Sequence, residues 1–227
     1  MKALTPTLSI VMPAGPGDDA WRTSLPPLVR ACAGAALGAH VVLVLPDGSP
    51  VAGVVPSGVR VLHAAAGRAS QLNAGAQATD GDWLWFVHAD SVFDADALDA
   101  LLRVLARNDD AIGYFDLRFL GDGPALTVLN AAGAWFRSRV LGLPFGDQAL
   151  LMPRRVYERL GGFAHVPGED HALVWAARRA GVRLRPVGAT VRTSARRYAT
   201  RGWLATTLRH LVLTVAQAWR YSRGAAA

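Results

Sequence analysis

Short runs of β-branched and aromatic residues alternate with helical patterns along this chain, and that alternation constrains its fold more than any other feature. Leu8-Ser-Ile-Val-Met-Pro13, His40 to Leu45, Val59 to Leu62 and Trp83 to Val87 are each bounded by Gly, Pro or Asp, and each reads as a strand. Between them helical patterns begin near Trp21, near Ser70 and near Asp94, the last carrying Leu98, Leu101, Leu102 and Leu105 at helical spacing. A strand–helix–strand succession buries its strands as a doubly wound, mostly parallel, Rossmann-like α/β sheet with right-handed crossovers. The Pro- and Gly-rich stretch 46–58 reads as a loop, and neither an internal repeat nor an interdomain linker is visible, so one domain over residues 1–227 is expected. Beyond position 110 the pattern loosens into Gly113 to Phe119, a helix around 124–141, and Gly146 to Met152. This half is expected to add mixed strands to the same sheet.

Composition removes several classes of function. Apolar residues make up 52% of the chain and charged residues only 18%, which suits a full core and not disorder. Cys32 is the only cysteine, so no internal disulfide forms and a reducing, cytoplasmic setting is expected. Met1-Lys-Ala-Leu-Thr-Pro-Thr leads directly into a strand pattern without the succession of a signal peptide. No apolar run reaches the ~18 residues of a membrane span. The nearest, Trp203 to Trp219, is broken by Arg209 and His210. Charge divides unevenly: residues 1–150 carry a net −4 and residues 151–227 a net +11, for +7 overall. An acidic half suits a metal and a basic half suits an anion. No zinc-finger spacing, helix-turn-helix pattern or aromatic-basic strand motif accompanies the basic charge, so a nucleic-acid partner is not expected.

Trp83-Leu-Trp-Phe-Val-His88-Ala-Asp90 is an apolar strand that ends on two metal-capable groups one residue apart. Side chains at i and i+2 of a strand point the same way, so His88 and Asp90 share a face at the carboxyl end. Open α/β sheets bind their ligands at that end. Two roles fit: oxygen ligation of a divalent ion, Mn or Mg, against a diphosphate, or an acid capping the next helix.

Six motifs then follow in order: Gly67-Arg-Ala-Ser-Gln71-Leu-Asn73-Ala-Gly75, His88-Ala-Asp90, Gly146-Asp147-Gln148, Gly161-Gly-Phe163, Glu169-Asp170 and Arg196-Arg197-Tyr198. Their succession resembles the family-2 glycosyltransferases of the GT-A fold, within them a small bacterial branch with R-G-R-A-x-Q-M-N-A-G, H-A-D, G-D-Q, G-G-F, E-D and a late R-R-W. The resemblance runs from about Leu8 to Trp203. It implies a GT-A-type sheet in one domain, with 1–110 as the nucleotide-binding half, 111–200 as the acceptor and catalytic half, and 201–227 as a C-terminal amphipathic helix. It also implies inverting transfer of a sugar from a nucleotide-sugar donor to a hydroxyl acceptor, dependent on a divalent cation.

By the same resemblance Asp170 is the base that takes the acceptor proton, and Glu169 beside it orients or binds the acceptor. On local sequence alone the pair reads equally as caps of the following helix. Asp90 ligates the metal, with His88 a further ligand or a support. Arg68, Arg196 and Arg197 match the geometry of the leaving diphosphate, although a solvated turn also suits the last two. Tyr198 replaces the late tryptophan and keeps an aromatic face. Gln71, Asn73, Asp147 and Gln148 belong to the matched motifs and are expected to bind substrate.

Pro13-Ala14 and Asp47-Gly-Ser49 match the family's nucleotide-recognition segments in part. The usual N-E after P-A is replaced by Gly15-Pro-Gly-Asp18-Asp19, with either aspartate a candidate substitute, and Pro46 stands where D-D-G-S has its first aspartate. These departures leave the donor sugar and base open, and they are what a degenerate, donor-binding member without transferase activity would show. Near the C-terminus, Leu204, Leu208, Leu211, Val215 and Trp219 share one helical stripe. Such a stripe covers the domain's own core or a homodimer contact, or it lies on a membrane and meets a lipid-linked acceptor.

Overall fold

β1 (Leu8–Pro13), α1 (Trp21–Gly34), β2 (Ala39–Pro46), β3 (Val59–Ala64), α2 (Arg68–Gln77) and β4 (Trp83–Phe86) follow one another as the alternation predicts. The computed structural model describes residues 6–35, 37–51 and 53–223, so the N-terminal residues 1–5 lie outside it. The first four strands pair in parallel in the order β3-β2-β1-β4. From β1 the chain winds outward to β2 and β3, then returns through α2 to place β4 on the other side of β1. That reversal opens a crevice beyond the carboxyl ends of β1 and β4.

β5 (Val92–Phe93), α3 (Ala97–Arg107), β6 (Ala111–Phe119), α4 (Thr127–Arg139), β7 (Leu151–Pro153), α5 (Arg154–Arg159), α6 (Glu169–Arg179) and β8 (Arg183–Thr193) complete the second half. These strands extend one sheet to eight, in the order β3-β2-β1-β4-β7-β6-β8-β5. Here β7 runs antiparallel to both β4 and β6, while β6 and β8 are parallel. The chain closes with α7 (Arg196–Arg201) and α8 (Trp203–Ser222).

Strand alternation sends residues to two cores. Ile10, Met12, Trp83 and Trp85 pack with Leu25 and Leu101 on one face, and Val11, Leu84 and Phe86 pack with Leu72, Val156 and Leu173 on the other. Gly75, last of its motif, lets α2 press on the sheet, since a methyl there would overlap Val11 Cγ1 and come within 3.0 Å of Val44 Cγ2. Its role is close packing.

Three features differ from the sequence reading. α3 starts at Ala97 and not near Asp94, because Val92 and Phe93 pair with Val191 and Arg192 as a short strand first. β8 was not foreseen. Pro186 and Gly188 interrupt its pattern, and they sit at the irregularity where its pairing with β6 shifts between Tyr114 and Asp116. The third difference is a correction: the apolar stripe of α8 does not cover the domain's own core. Leu211 and Trp219 are 58% and 62% exposed, while Thr206 and Tyr221 are buried. The helix docks through hydrogen bonds instead, from Asn130 Nδ2 to Thr207 Oγ1 (3.0 Å), from Trp203 Nε1 to Asn130 Oδ1 (2.7 Å) and from Arg179 Nη1 to the Tyr221 carbonyl (2.7 Å). Among the described residues no helix is long and apolar enough to cross a membrane.

Candidate active site

The crevice beyond β1 and β4 is a cleft of ≈ 390 Å³. Pro13 enters it from the end of the first strand, and Gly15 and Asp18 from the loop that follows. Arg68 and Gln71 come from the start of α2, and His88 and Asp90 from the turn just after β4, which ends at Phe86 and not at Asp90. Asp147 comes from the Gly146–Gln148 turn, and Arg196, Arg197 and Tyr198 from α7. Segments far apart in sequence thus converge on one depression.

Asp90 is half-buried, and among the described residues no side chain or backbone N–H engages its carboxylate. It does not cap the next helix, whose N-cap is Asp96. Its open oxygens point to a ligand. His88 Nε2 lies against the Arg68 guanidinium. Burial, then the charges of Arg68 and Arg197, hold its pKa well below the ordinary histidine value, which leaves a neutral imidazole. Among the described residues no three His, Cys, Asp or Glu side chains form a metal cage. A single carboxylate still fits Mg or Mn, because these ions complete their shells with substrate phosphates and water.

Behind the cleft Arg68 organises the acids. Its Nε donates to Glu169 Oε1 at 2.8 Å. Glu169 is buried, and burial together with the charge of Asp170 raises its pKa while Arg68 opposes the rise. Asp170 Oδ2 accepts the Gly146 N–H at 2.7 Å, and its Oδ1 accepts the His171 N–H at 2.9 Å. One carboxylate therefore serves both the first turn of α6 and the Gly146 turn. A Cβ at Gly146 would stand 3.1 Å from Asp170 Oδ2 and 3.4 Å from Arg68 Nη2, which accounts for glycine there. Asp147 is the acid of this group that lines the cleft. Burial raises its carboxyl pKa, the charge of Asp170 adds to that, and Arg137 at 3.3 Å opposes it.

The arginines of α7 differ. Arg196 pairs with Asp18 at 3.1 Å across the cleft mouth, whereas Arg197 has no ion-pair partner among the described residues. Asp18, not Asp19, is therefore the acid of the altered first loop that reaches the cleft. Tyr198 packs edge-on against Phe119 and hydrogen-bonds His210 Nδ1 at 3.1 Å.

Other expected site residues serve the scaffold. Gln71 lines the cleft, but its Nε2 donates to the carbonyls of Ala14 and Val44, both at 2.8 Å, and ties β1 to β2. Ala14 is fully buried. Asn73 lies outside the cleft and clamps the Gly161-Gly-Phe163 turn, donating to the Phe163 carbonyl (2.8 Å) and accepting from the Phe163 N–H (2.9 Å) and Tyr157 hydroxyl (2.6 Å). Gln148 is fully buried and donates to the Phe115 carbonyl at 2.9 Å. Asp47 is exposed just after β2 and does not line the cleft.

Sequence reasoning missed His210, Phe119 and Thr193, which also line the cleft. It also missed the stack of Arg137 on Phe145 (3.8 Å) and Phe145 on His171 (3.2 Å) beneath Asp147. The adjacency of His171 to Glu169-Asp170 was the available signal. Burial pushes His171 down to about 4, with Asp170 opposing and Arg137 assisting, and its Nδ1 has no partner. A depressed folded-state pKa means stability is present above 6.5 and lost as pH falls toward 4. His171→Phe keeps the stack and removes the titration. The stability difference between neutral pH and pH near 4.5 is therefore expected to shrink by on the order of 2 kcal/mol, measured by urea denaturation. An unchanged difference would mean that the imidazole is hydrated in the folded state.

The family model described as Glycosyl transferase family 2 matches residues 49–152, a span that holds Arg68, His88, Asp90 and Asp147 but not Asp170. No curated protein matches the chain. Among solved structures, the mannosyltransferase PcManGT from Pyrobaculum calidifontis, in complex with GDP-Man and Mn2+, superimposes with a TM-score of 0.68 at 19% identity. The match covers 96% of this chain and 65% of that one, so this chain spans just under two thirds of that structure. Parallel first half, mixed second half and the crevice between them together give this chain the GT-A glycosyltransferase fold.

Proposed function

We propose that the chain is a family-2 glycosyltransferase that moves a sugar from a nucleotide-sugar donor to a hydroxyl acceptor with inversion. The observation that carries this reading is the open carboxylate of Asp90 at the carboxyl end of β4, in one cleft with Arg196 and Arg197. The family-2 match over 49–152 and the GT-A fold support it. A bound Mn or Mg ion would be held by Asp90 and supply Lewis-acid stabilisation of the departing diphosphate.

The chain's own groups do the rest. Arg197, and Arg196 once released from Asp18, offer planar donors to phosphate oxygens as negative charge develops on the leaving group. Asp170, held by the Gly146 N–H, keeps free lone pairs and takes the acceptor proton. Glu169, fixed by Arg68, positions the acceptor. Residues 1–110 serve as the donor half, 111–200 as the acceptor half, and 201–227 as an appended helix of one domain. GDP-mannose with Mn is the first donor to test, because the structurally similar PcManGT was solved with both.

The test is a titration. Changing Arg196 and Arg197 together to Ala should weaken binding of a nucleoside diphosphate by roughly 10²–10⁴-fold and leave the nucleoside nearly unchanged, since charged hydrogen bonds contribute about 1.5–3 kcal/mol each. Equal losses for both ligands would remove the arginines from diphosphate binding. Donor binding without turnover in the unaltered chain would favour the degenerate, non-catalytic reading.

A further inference from the structure

α8 turns its most apolar side away from the protein. Leu204, Leu208, Leu211, Val212, Val215 and Trp219 fall within a stripe roughly 100° wide, and their exposures run from 51% at Leu208 to 66% at Val212. The opposite side is held to the domain, with Thr206 and Tyr221 buried and His210 lining the cleft. Neighbouring α4, tied to α8 through Asn130, instead turns its exposed Val128 and Trp135 into a separate depression beside β6.

The charges beside this surface have one sign. No acid occurs after Asp170, nor between Asp122 and Asp147, so neither helix carries one. Arg209 and Arg220 stand on one shoulder of the stripe at helical spacing, and the Arg223 guanidinium lies 4.3 Å over the Trp219 ring. All three are exposed, and among the described residues none has an ion-pair partner. A two-fold contact between copies would set this face against itself and bring arginine to arginine without a carboxylate. An anionic surface meets both features at once: acyl chains accept the apolar stripe, and phosphate headgroups accept arginines whose stems reach up from its edge.

We propose that the outward face of α8 docks this protein onto an anionic phospholipid bilayer as an interfacial helix that lies on the membrane and does not cross it. The cleft then lies behind the same helix, on its side away from the lipid, because His210 borders it. This docking stands apart from the transferase reading and is tested without any donor or acceptor.

Co-sedimentation of the full chain with vesicles of phosphatidylcholine alone, and of an equal mixture with phosphatidylglycerol, provides the test. Wild-type protein is expected to pellet with the mixed vesicles and far less with the neutral ones, and to be released by high salt. Arg209→Gln with Arg220→Gln should weaken the mixed-vesicle binding by about 30-fold. Leu211→Glu with Trp219→Glu should abolish it while the thermal midpoint stays near wild type, since both side chains are exposed. No pelleting of wild type, or pelleting that survives both pairs of changes, would overturn the proposal. So would a dimer in sedimentation velocity that the Glu pair dissolves while wild type ignores vesicles.

Discussion

Asp90→Ala is expected to remove manganese-dependent nucleoside diphosphate binding, by roughly 10²-fold or more, since an ion bridging to phosphate supplies several kcal/mol of charge stabilisation. The residue stands half-buried in the cleft with no protein partner among the described residues, so its loss should leave folding within about 0.5 kcal/mol of wild type. Calorimetric titration with and without Mn, beside a denaturation curve, separates the two effects. Binding that keeps its full manganese dependence in the variant would move the metal away from β4. His88→Ala should do less to the metal, because His88 Nε2 already faces Arg68 and the imidazole serves mainly to hold that guanidinium.

Asp170→Asn is expected to lower transfer by about 10²–10⁴-fold, the usual share of a general base, with donor affinity retained. The amide keeps the shape, and its single oxygen can still accept the Gly146 N–H, so that turn survives while the His171 N–H at the first turn of α6 loses its acceptor. Asp147→Asn is the necessary companion. Asp147 lines the cleft directly, and burial raises its carboxyl pKa. If the Asp147 change costs more turnover than the Asp170 change at equal donor affinity, the proton goes to Asp147 and Asp170 is a support for Gly146. Collapse of donor binding in Asp170→Asn would equally mark it as structural.

The sequence showed where the cleft would be more clearly than which side chains would line it. Trp83 to Asp90 was legible because a wholly apolar strand that halts on His88 and Asp90 has only one place in an open parallel sheet, its carboxyl end. Arg68, His88, Asp90, Asp147, Arg196 and Arg197, from four separate motifs, do meet in the cleft, whereas the Gly161-Gly-Phe163 turn packs on Asn73 outside it. Amide side chains within those motifs were less legible. Gln71, Asn73 and Gln148 look like ligand contacts in a sequence, yet each satisfies backbone groups at the joints of the scaffold. Polar identity does not say whether the partner is substrate or main chain.

Two further limits have the same physical origin. β8 was hidden because an edge-side strand with arginines, a proline and a glycine lacks the apolar alternation that announces strands, and only its pairing with β6 and β5 defines it. For α8 the period revealed a stripe but not its direction. A helix can dock by its polar side when Thr207, Trp203 and Tyr221 find partners on neighbouring elements, and the hydrophobic pattern then faces outward. The arginine balance of the second half was legible as a preference for anions. Its division between the cleft, at Arg196 and Arg197, and the outer helix, at Arg209, Arg220 and Arg223, required the fold.

A crystal of the protein soaked with manganese and a nucleoside diphosphate, read by anomalous scattering at the manganese edge, tests the central claim most directly. The expected result is one strong peak in the cleft, about 2.1 Å from an Asp90 oxygen as for a small octahedral cation, bridged to the diphosphate, with Arg197 on the phosphate oxygens. A nucleotide bound elsewhere, or a manganese peak that avoids Asp90 while the cleft holds the diphosphate, would contradict it.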